Sequence, residues 1–185
     1  MKVDTEATGW GSLPRIDSVL DVFAVPHFMA YCNSRIVRRT MYFNIKSKVS
    51  YMEGMSLASF WDAFWWSLPH WWRGEMPLAP KPGEGPGSTI RKEGGFRAKV
   101  VGSPDDATGS KVEYDIVGHG DPGYAFTSKT IAEVGICLGL ESCHEHFGRG
   151  GVYTVGSALK LNEVRNRLEE AKHDGKPLLK FTKKE

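Results

Sequence analysis

Apolar and polar positions change period several times along this chain, and each change marks an element. Over residues 26–43, Phe28, Cys32 and Ile36 recur at four-residue spacing, with Arg35, Arg38 and Arg39 on the other side. That spacing predicts a first helix, opened by Pro26. A second is predicted over 56–68, where Leu57, Phe60, Trp61, Phe64, Trp65 and Leu68 share a face and Pro69 ends it. Residues 96–101 and 111–117 alternate apolar and polar around a turn-rich connection. This is the pattern of an antiparallel hairpin with one wet face. A third helix follows over 127–140, with Ile131, Val134, Gly135 and Leu138 inward and Thr127 or Ser128 as its cap. A short strand over 151–155 leads to a fourth helix over 157–172, with Leu161, Val164, Leu168 and Ala171 inward. Glu163 and Arg167 pair on its outside, and Gly175 and Pro177 stop it.

These elements predict an α+β fold, a mixed or antiparallel sheet with helices packed on one face. The expected organisation is an extended arm over 1–24, one domain over 25–175 and a solvated basic tail over 176–185. Within the domain lie an aromatic helix over 56–72 and a Pro/Gly-rich link over 76–87, carrying Pro77, Pro80, Pro82 and Pro86.

Composition narrows the setting. With 185 residues the chain can bury a core without disulfides, and its net charge of +2 argues against nucleic acid as a partner. Three cysteines, Cys32, Cys137 and Cys143, suit a reducing, intracellular compartment. The first 21 residues resemble neither a signal peptide nor an Arg-rich transit peptide. No window offers the ~20 clean apolar residues of a spanning helix.

Gly118-His119-Gly120-Asp121-Pro122-Gly123 imitates the dinucleotide fingerprint, in which glycines admit a pyrophosphate to a helix N-terminus. Three features oppose that reading. Pro122 lacks an N–H that a phosphate would need. The preceding strand alternates, whereas a central parallel strand is buried on both faces. No carboxylate ends the next predicted strand to take the ribose; Glu141 falls at a helix end instead.

Four segments, in order and at matching spacing, resemble one family. They are residues 26–39 (from Pro26-His27-Phe28 through Asn33-Ser34-Arg35), Lys81-Pro82-Gly83-Glu84-Gly85-Pro86, the glycine motif with Tyr124, Thr127, Ala132 and Glu133, and Gly150-Gly151-Val152-Tyr153-Thr154 with Ala158 and Leu159. Together they resemble the C-terminal half of the saccharopine dehydrogenase-like oxidoreductases, which include trans-acting enoyl reductases. The resemblance spans about residues 25–168; Val155 stands where the family commonly has proline. It implies that the glycine motif belongs to the family's second, substrate-side or dimerising domain. The nucleotide-binding Rossmann domain, N-terminal in that family, would then be missing from this chain.

Candidate chemistry is sparse. Phe60, Trp61, Phe64, Trp65 and Trp66, with Trp71 and Trp72 beyond Pro69, suit a membrane surface or a hydrophobic partner, with His70 and Arg73 at headgroup level. The competing reading makes these rings core. Arg35, Arg38 and Arg39, with Lys46 and Lys48, could hold an anionic group; a solvated helix face is the simpler reading. Cys137, Cys143, His144 and His146 are zinc-ligand types at the wrong spacing, so no metal is expected. His119 and Asp121 could do acid–base work, but short loops use Asp-Pro-Gly for geometry. The expectation is a non-catalytic accessory or scaffold subunit with other protein subunits as partners, at a membrane or in a mitochondrial setting, with no cofactor of its own. The rival is the substrate-side half of a split oxidoreductase, acting on a lipid-like substrate with NAD(P) on a separate Rossmann chain. A small lipid-binding module is a third reading.

Overall fold

The structure, a computed structural model, describes residues 15–17, 20–27, 29–44, 50–67, 83–104, 109–145 and 150–184. It divides into two compact units, residues 1–79 and 80–185. The boundary between them falls inside the domain expected over 25–175, at the Pro/Gly link. Residues 76–82 of that link and 1–14 of the arm lie outside the described residues.

In the first unit three antiparallel strands lie in the order β1 (Arg15–Asp17), β2 (Val22–Pro26), β3 (Gly54–Leu57). The end of the expected arm is thus sheet. Asp17 builds the first turn by accepting the Leu20 N–H at 3.0 Å. Two helices complete the unit, α1 (Ala30–Asn44) and α2 (Phe60–Ser67). Pro26 closes β2 and does not open α1, as a residue poor at continuing a ladder suits a strand end. Residues 56 and 57, expected in the second helix, belong to β3, where Leu57 pairs with Phe23. The helix starts at Phe60 because Ser59 caps it: its Oγ accepts the Asp62 N–H at 3.2 Å and donates to the Asp62 carboxylate at 2.8 Å.

The second unit opens with α3 (Ser88–Glu93) and the expected hairpin, β4 (Gly95–Gly102) and β5 (Val112–His119). Next come α4 (Ala125–Gly139), a 3-10 turn over Glu141–Cys143, a helical turn α5 (Val155–Ala158) and α6 (Leu161–Glu170). The chain ends in a small hairpin, β6 (Lys172–His173) and β7 (Lys176–Pro177), and the strand β8 (Leu179–Lys184). The main sheet runs β4-β5-β8, all antiparallel. The expected basic tail is thus its third strand, with Ile116 paired to Phe181 and Gly118 to Leu179.

Alternation gives that sheet two unlike faces. Phe96, Ile116, Leu179 and Phe181 meet Val134 and Cys137 of α4 and Val164 and Leu168 of α6 in one apolar core, where Leu159 and Leu178 are fully buried. The other face carries Arg97, Lys99, Glu113, Asp115, Lys180 and Lys184. There Glu113 lies 3.1 Å from Lys184 and 3.2 Å from Lys99, and hydrogen bonds from these ammoniums hold its carboxyl below the usual carboxylate range. Helices on one face and a charged opposite face make this an α+β fold.

Three details of the helices depart from the pattern. Ile131 and Leu138, expected inward on α4, are exposed, while Phe126, Val134 and Cys137 face the core. The helix has apolar residues all round, and the Phe126 ring meets Phe96 edge-on at 4.9 Å, which fixes its rotation. The expected strand over 151–155 is a loop ending in α5, where Thr154 and Ser157 cap one another reciprocally. On α6, Leu161 is exposed, and Arg167 does not pair with Glu163. It reaches Glu133 of α4 at 2.7 Å, and the i,i+4 pair is Arg165 with Glu169.

Candidate functional site

The aromatic helix is the most exposed apolar feature of the first unit. Trp61 is 67% exposed, Trp65 60%, and Phe60 and Phe64 also face outward. Phe60 meets the sheet edge-on, its ring 6.1 Å from that of Phe23. The others lean on one another, Phe60 stacked on Phe64 at 6.4 Å and Trp61 edge-on to Phe64 at 6.2 Å. None of these four rings is enclosed, since each is at least 40% exposed. The Trp66 side chain, His70, Trp71, Trp72 and Arg73 lie outside the described residues. Among the described residues the only buried apolar side chains of this unit are Ala24, Val25 and Ala30.

A polar cluster sets how α1 sits, and sequence reasoning missed it. The Glu53 carboxylate accepts the Asn33 amide at 3.0 Å and the Tyr51 hydroxyl at 3.0 Å, and lies 2.6 Å from His27 Nδ1. His27 and Asn33 both stood in the first family-like segment, which was the one available signal. With Asn33 gripped, Ala30 and Ser34 turn inward, and the Ser34 hydroxyl donates to the Tyr31 carbonyl at 3.3 Å. Cys32 and Ile36, expected inward, face out; Phe28 lies outside the described residues. Arg35 and Arg39 are exposed and Arg38 half-buried, with the Arg35 guanidinium 3.8 Å over the Tyr31 ring and that of Arg39 5.4 Å over Phe43. Lys46 and Lys48 are outside the described residues.

Burial, then the charge of Glu53, push the Tyr51 phenol up from 10.0 to about 12. A folded value above the unfolded one means the stability it contributes is complete below pH 10 and lost as pH climbs towards 12. Ultraviolet phenolate titration of the folded protein is expected to show one tyrosine ionising late, and Tyr51→Phe to remove that step alone.

The glycine motif is a strand-to-helix turn, and its His119, Gly120 and Asp121 N–H groups are committed to carbonyls. Gly120 N–H donates to the Gly94 carbonyl at 2.7 Å and Asp121 N–H to the Arg91 carbonyl at 3.4 Å. Asp121 in turn accepts the Tyr124 N–H on Oδ2 and the Phe126 N–H on its carbonyl. Thr127 and Ser128, expected as caps, lie inside the helix, whose cap position is Tyr124 with no side-chain cap bond. His119 Nδ1 donates to the Pro177 carbonyl at 2.7 Å, and His173 Nε2 donates to the Lys92 carbonyl at 2.8 Å. The turn thus ties the end of α3 to the β6–β7 hairpin.

Two of its three glycines have steric reasons. A Cβ on Gly118 would stand 2.2 Å from the Phe96 ring. Gly120 has φ +94°, and a Cβ there would lie 3.1 Å from the His173 ring. Gly120→Ala is therefore expected to cost about 2 kcal/mol in urea unfolding, from backbone strain and the displaced ring. A loss near zero would show that the turn relaxes freely.

The cysteine–histidine group is split. Cys137 and Cys143 are buried in the core, where burial and then the neighbouring Cys143 thiol push the Cys137 thiol up, opposing the thiolate a metal needs. His144 Nε2 donates to the Leu138 carbonyl at 2.9 Å, and His146 lies outside the described residues. Among the described residues no group of three or more His, Cys, Asp or Glu could hold a metal, and no helix is long and apolar enough to cross a membrane. Comparison with protein-family models, curated proteins and solved structures found no match.

Proposed function

We propose that this chain is a non-catalytic accessory or scaffold subunit of a larger, membrane-associated assembly, descended from a saccharopine dehydrogenase-like oxidoreductase. One observation carries the reading: the first unit exposes Trp61, Trp65 and their neighbours while burying only three small or medium apolar side chains among its described residues. Exposed rings on this scale are stabilised when a partner or a membrane surface covers them. Tryptophan on a short helix is the residue type that assembly interfaces concentrate. The second unit offers a further face of the same kind, since Ile131, Leu138 and Leu140 are also exposed.

The family resemblance supports the ancestry, and the carbonyl partners of the His119, Gly120 and Asp121 N–H groups support a structural role for the glycine turn. His119 and Asp121 have structural partners that account for their presence. A mitochondrial setting agrees with this reading without being required by it.

Isolation of the native protein in mild detergent, followed by identification of every co-migrating chain, tests the proposal. A large assembly without a nicotinamide-binding partner is the expected result. A separate Rossmann chain carrying NAD(P) would overturn it in favour of a split oxidoreductase.

A further inference from the structure

The outward face of α1 has no carboxylate. Its sequence from Ala30 to Asn44 contains three arginines and neither aspartate nor glutamate. The side opposite buried Ala30 and Ser34 presents Tyr31, Arg35, Ile36, Arg39, Tyr42 and Phe43, all exposed. Two guanidiniums lie over two of those rings, Arg35 over Tyr31 and Arg39 over Phe43. The helix is 15 residues long, so at 1.5 Å per residue this face runs for about 22 Å. Its rotation is fixed from behind by Asn33 on Glu53.

From this face we infer that α1 lies flat on an anionic phospholipid surface, its arginines on phosphate groups and its rings at headgroup depth. The inference deepens the membrane side of the proposed function and rests on it. Charge decides the sign of the occupant: two exposed guanidiniums, on a helix that carries no acid, select an anionic one. Apolar content decides its kind. Nucleic acid recognition draws on many phosphate contacts under a strongly basic field, and the 24 basic residues of this chain are offset by 22 acidic ones. An interfacial helix instead adds ring and aliphatic burial to a modest electrostatic attraction, and this face provides both. Exposed aromatics stacked under guanidinium groups also keep each charge near the plane where its ring sits.

Sedimentation of the full chain with vesicles of phosphatidylcholine containing phosphatidylserine, against phosphatidylcholine alone, tests this. Binding is expected to the anionic vesicles and to weaken as salt is raised. Arg35→Ala/Arg39→Ala should lower that affinity about thirtyfold, at roughly a factor of five per arginine. Ile36→Ser/Tyr42→Ser should weaken it about tenfold while keeping the salt dependence, by loss of buried apolar area. Arg91→Ala/Arg97→Ala, which removes two exposed arginines from the other unit, should change nothing. Equal sedimentation with uncharged vesicles, undiminished binding by the Arg35/Arg39 variant, or stronger retention of a single-stranded oligonucleotide than of vesicles would overturn it. Because these vesicles contain no protein, failure here leaves the co-migration result intact, whereas native isolation that yields this chain alone would sink the assembly reading and leave the lipid binding standing.

Discussion

Removing residues 178–185 is expected to unfold the second unit outright. Leu178 and Leu179 are buried in its core and Phe181 packs against it. Each such side chain is worth about 2–4 kcal/mol when lost, on the order of 8 kcal/mol together, against about 5–15 for a whole domain. The deletion also strips β5 of a neighbour along residues 113–118. Phe181 N–H further donates to the Glu169 carboxylate at 3.0 Å, which ties the same strand to α6. Far-ultraviolet circular dichroism and urea titration should show loss of the cooperative transition. Leu178→Ala, a milder change at a fully buried site, should cost about 3 kcal/mol and leave the unit folded. A truncated chain that still unfolds cooperatively at an unchanged midpoint would restore the reading of this segment as a tail.

The double change Trp61→Ser/Trp65→Ser is expected to act in the opposite way, sparing the fold and abolishing association. Both rings are more than half exposed, so their loss should shift the thermal midpoint little. Central tryptophans at an interface contribute about 2 kcal/mol or more each, so two should weaken association at least several hundredfold. Co-purification with the native assembly, together with a melting curve of the variant, separates the outcomes. Global unfolding of the variant would show that these rings support the unit from within.

Much of the second unit was legible because its signals were local. The β4–β5 hairpin follows from strict alternation, and the strand-to-helix character of Gly118 to Gly123 follows from glycine and proline chemistry. The end of the chain was misread although Asp174-Gly175 is a strong hairpin signal; both residues have positive φ, 50° and 76°, and turn β6 into β7. A run of lysines after it looked solvated, yet half of an edge strand faces water, so lysine at every second position is compatible with pairing. Reading Gly175 and Pro177 as a helix stop hid the pattern.

The misassigned helix rotations have a different cause. Apolar residues surround α4, so periodicity could not select its buried side; a long-range ring contact from Phe96 did. On α1 the choice was made by polar groups, Asn33 on Glu53 and a buried Ser34, which a count of hydrophobic positions does not weigh. The first turns of α2 and α5 were visible in principle as Ser59-x-x-Asp62 and Thr154-x-x-Ser157. Of the candidate site, the aromatic positions were readable as unusual in number. Their exposure was not, because exposure depends on what the remaining chain covers.

Amide hydrogen exchange on the isolated chain and on the native assembly tests the central claim most directly. The amides of α2 should exchange rapidly in the isolated chain and become protected on assembly, while those of β5 and Cys137 stay protected in both. Equal and strong protection of Trp61 to Trp65 in the isolated chain would contradict the account, since the first unit would then be complete without a partner.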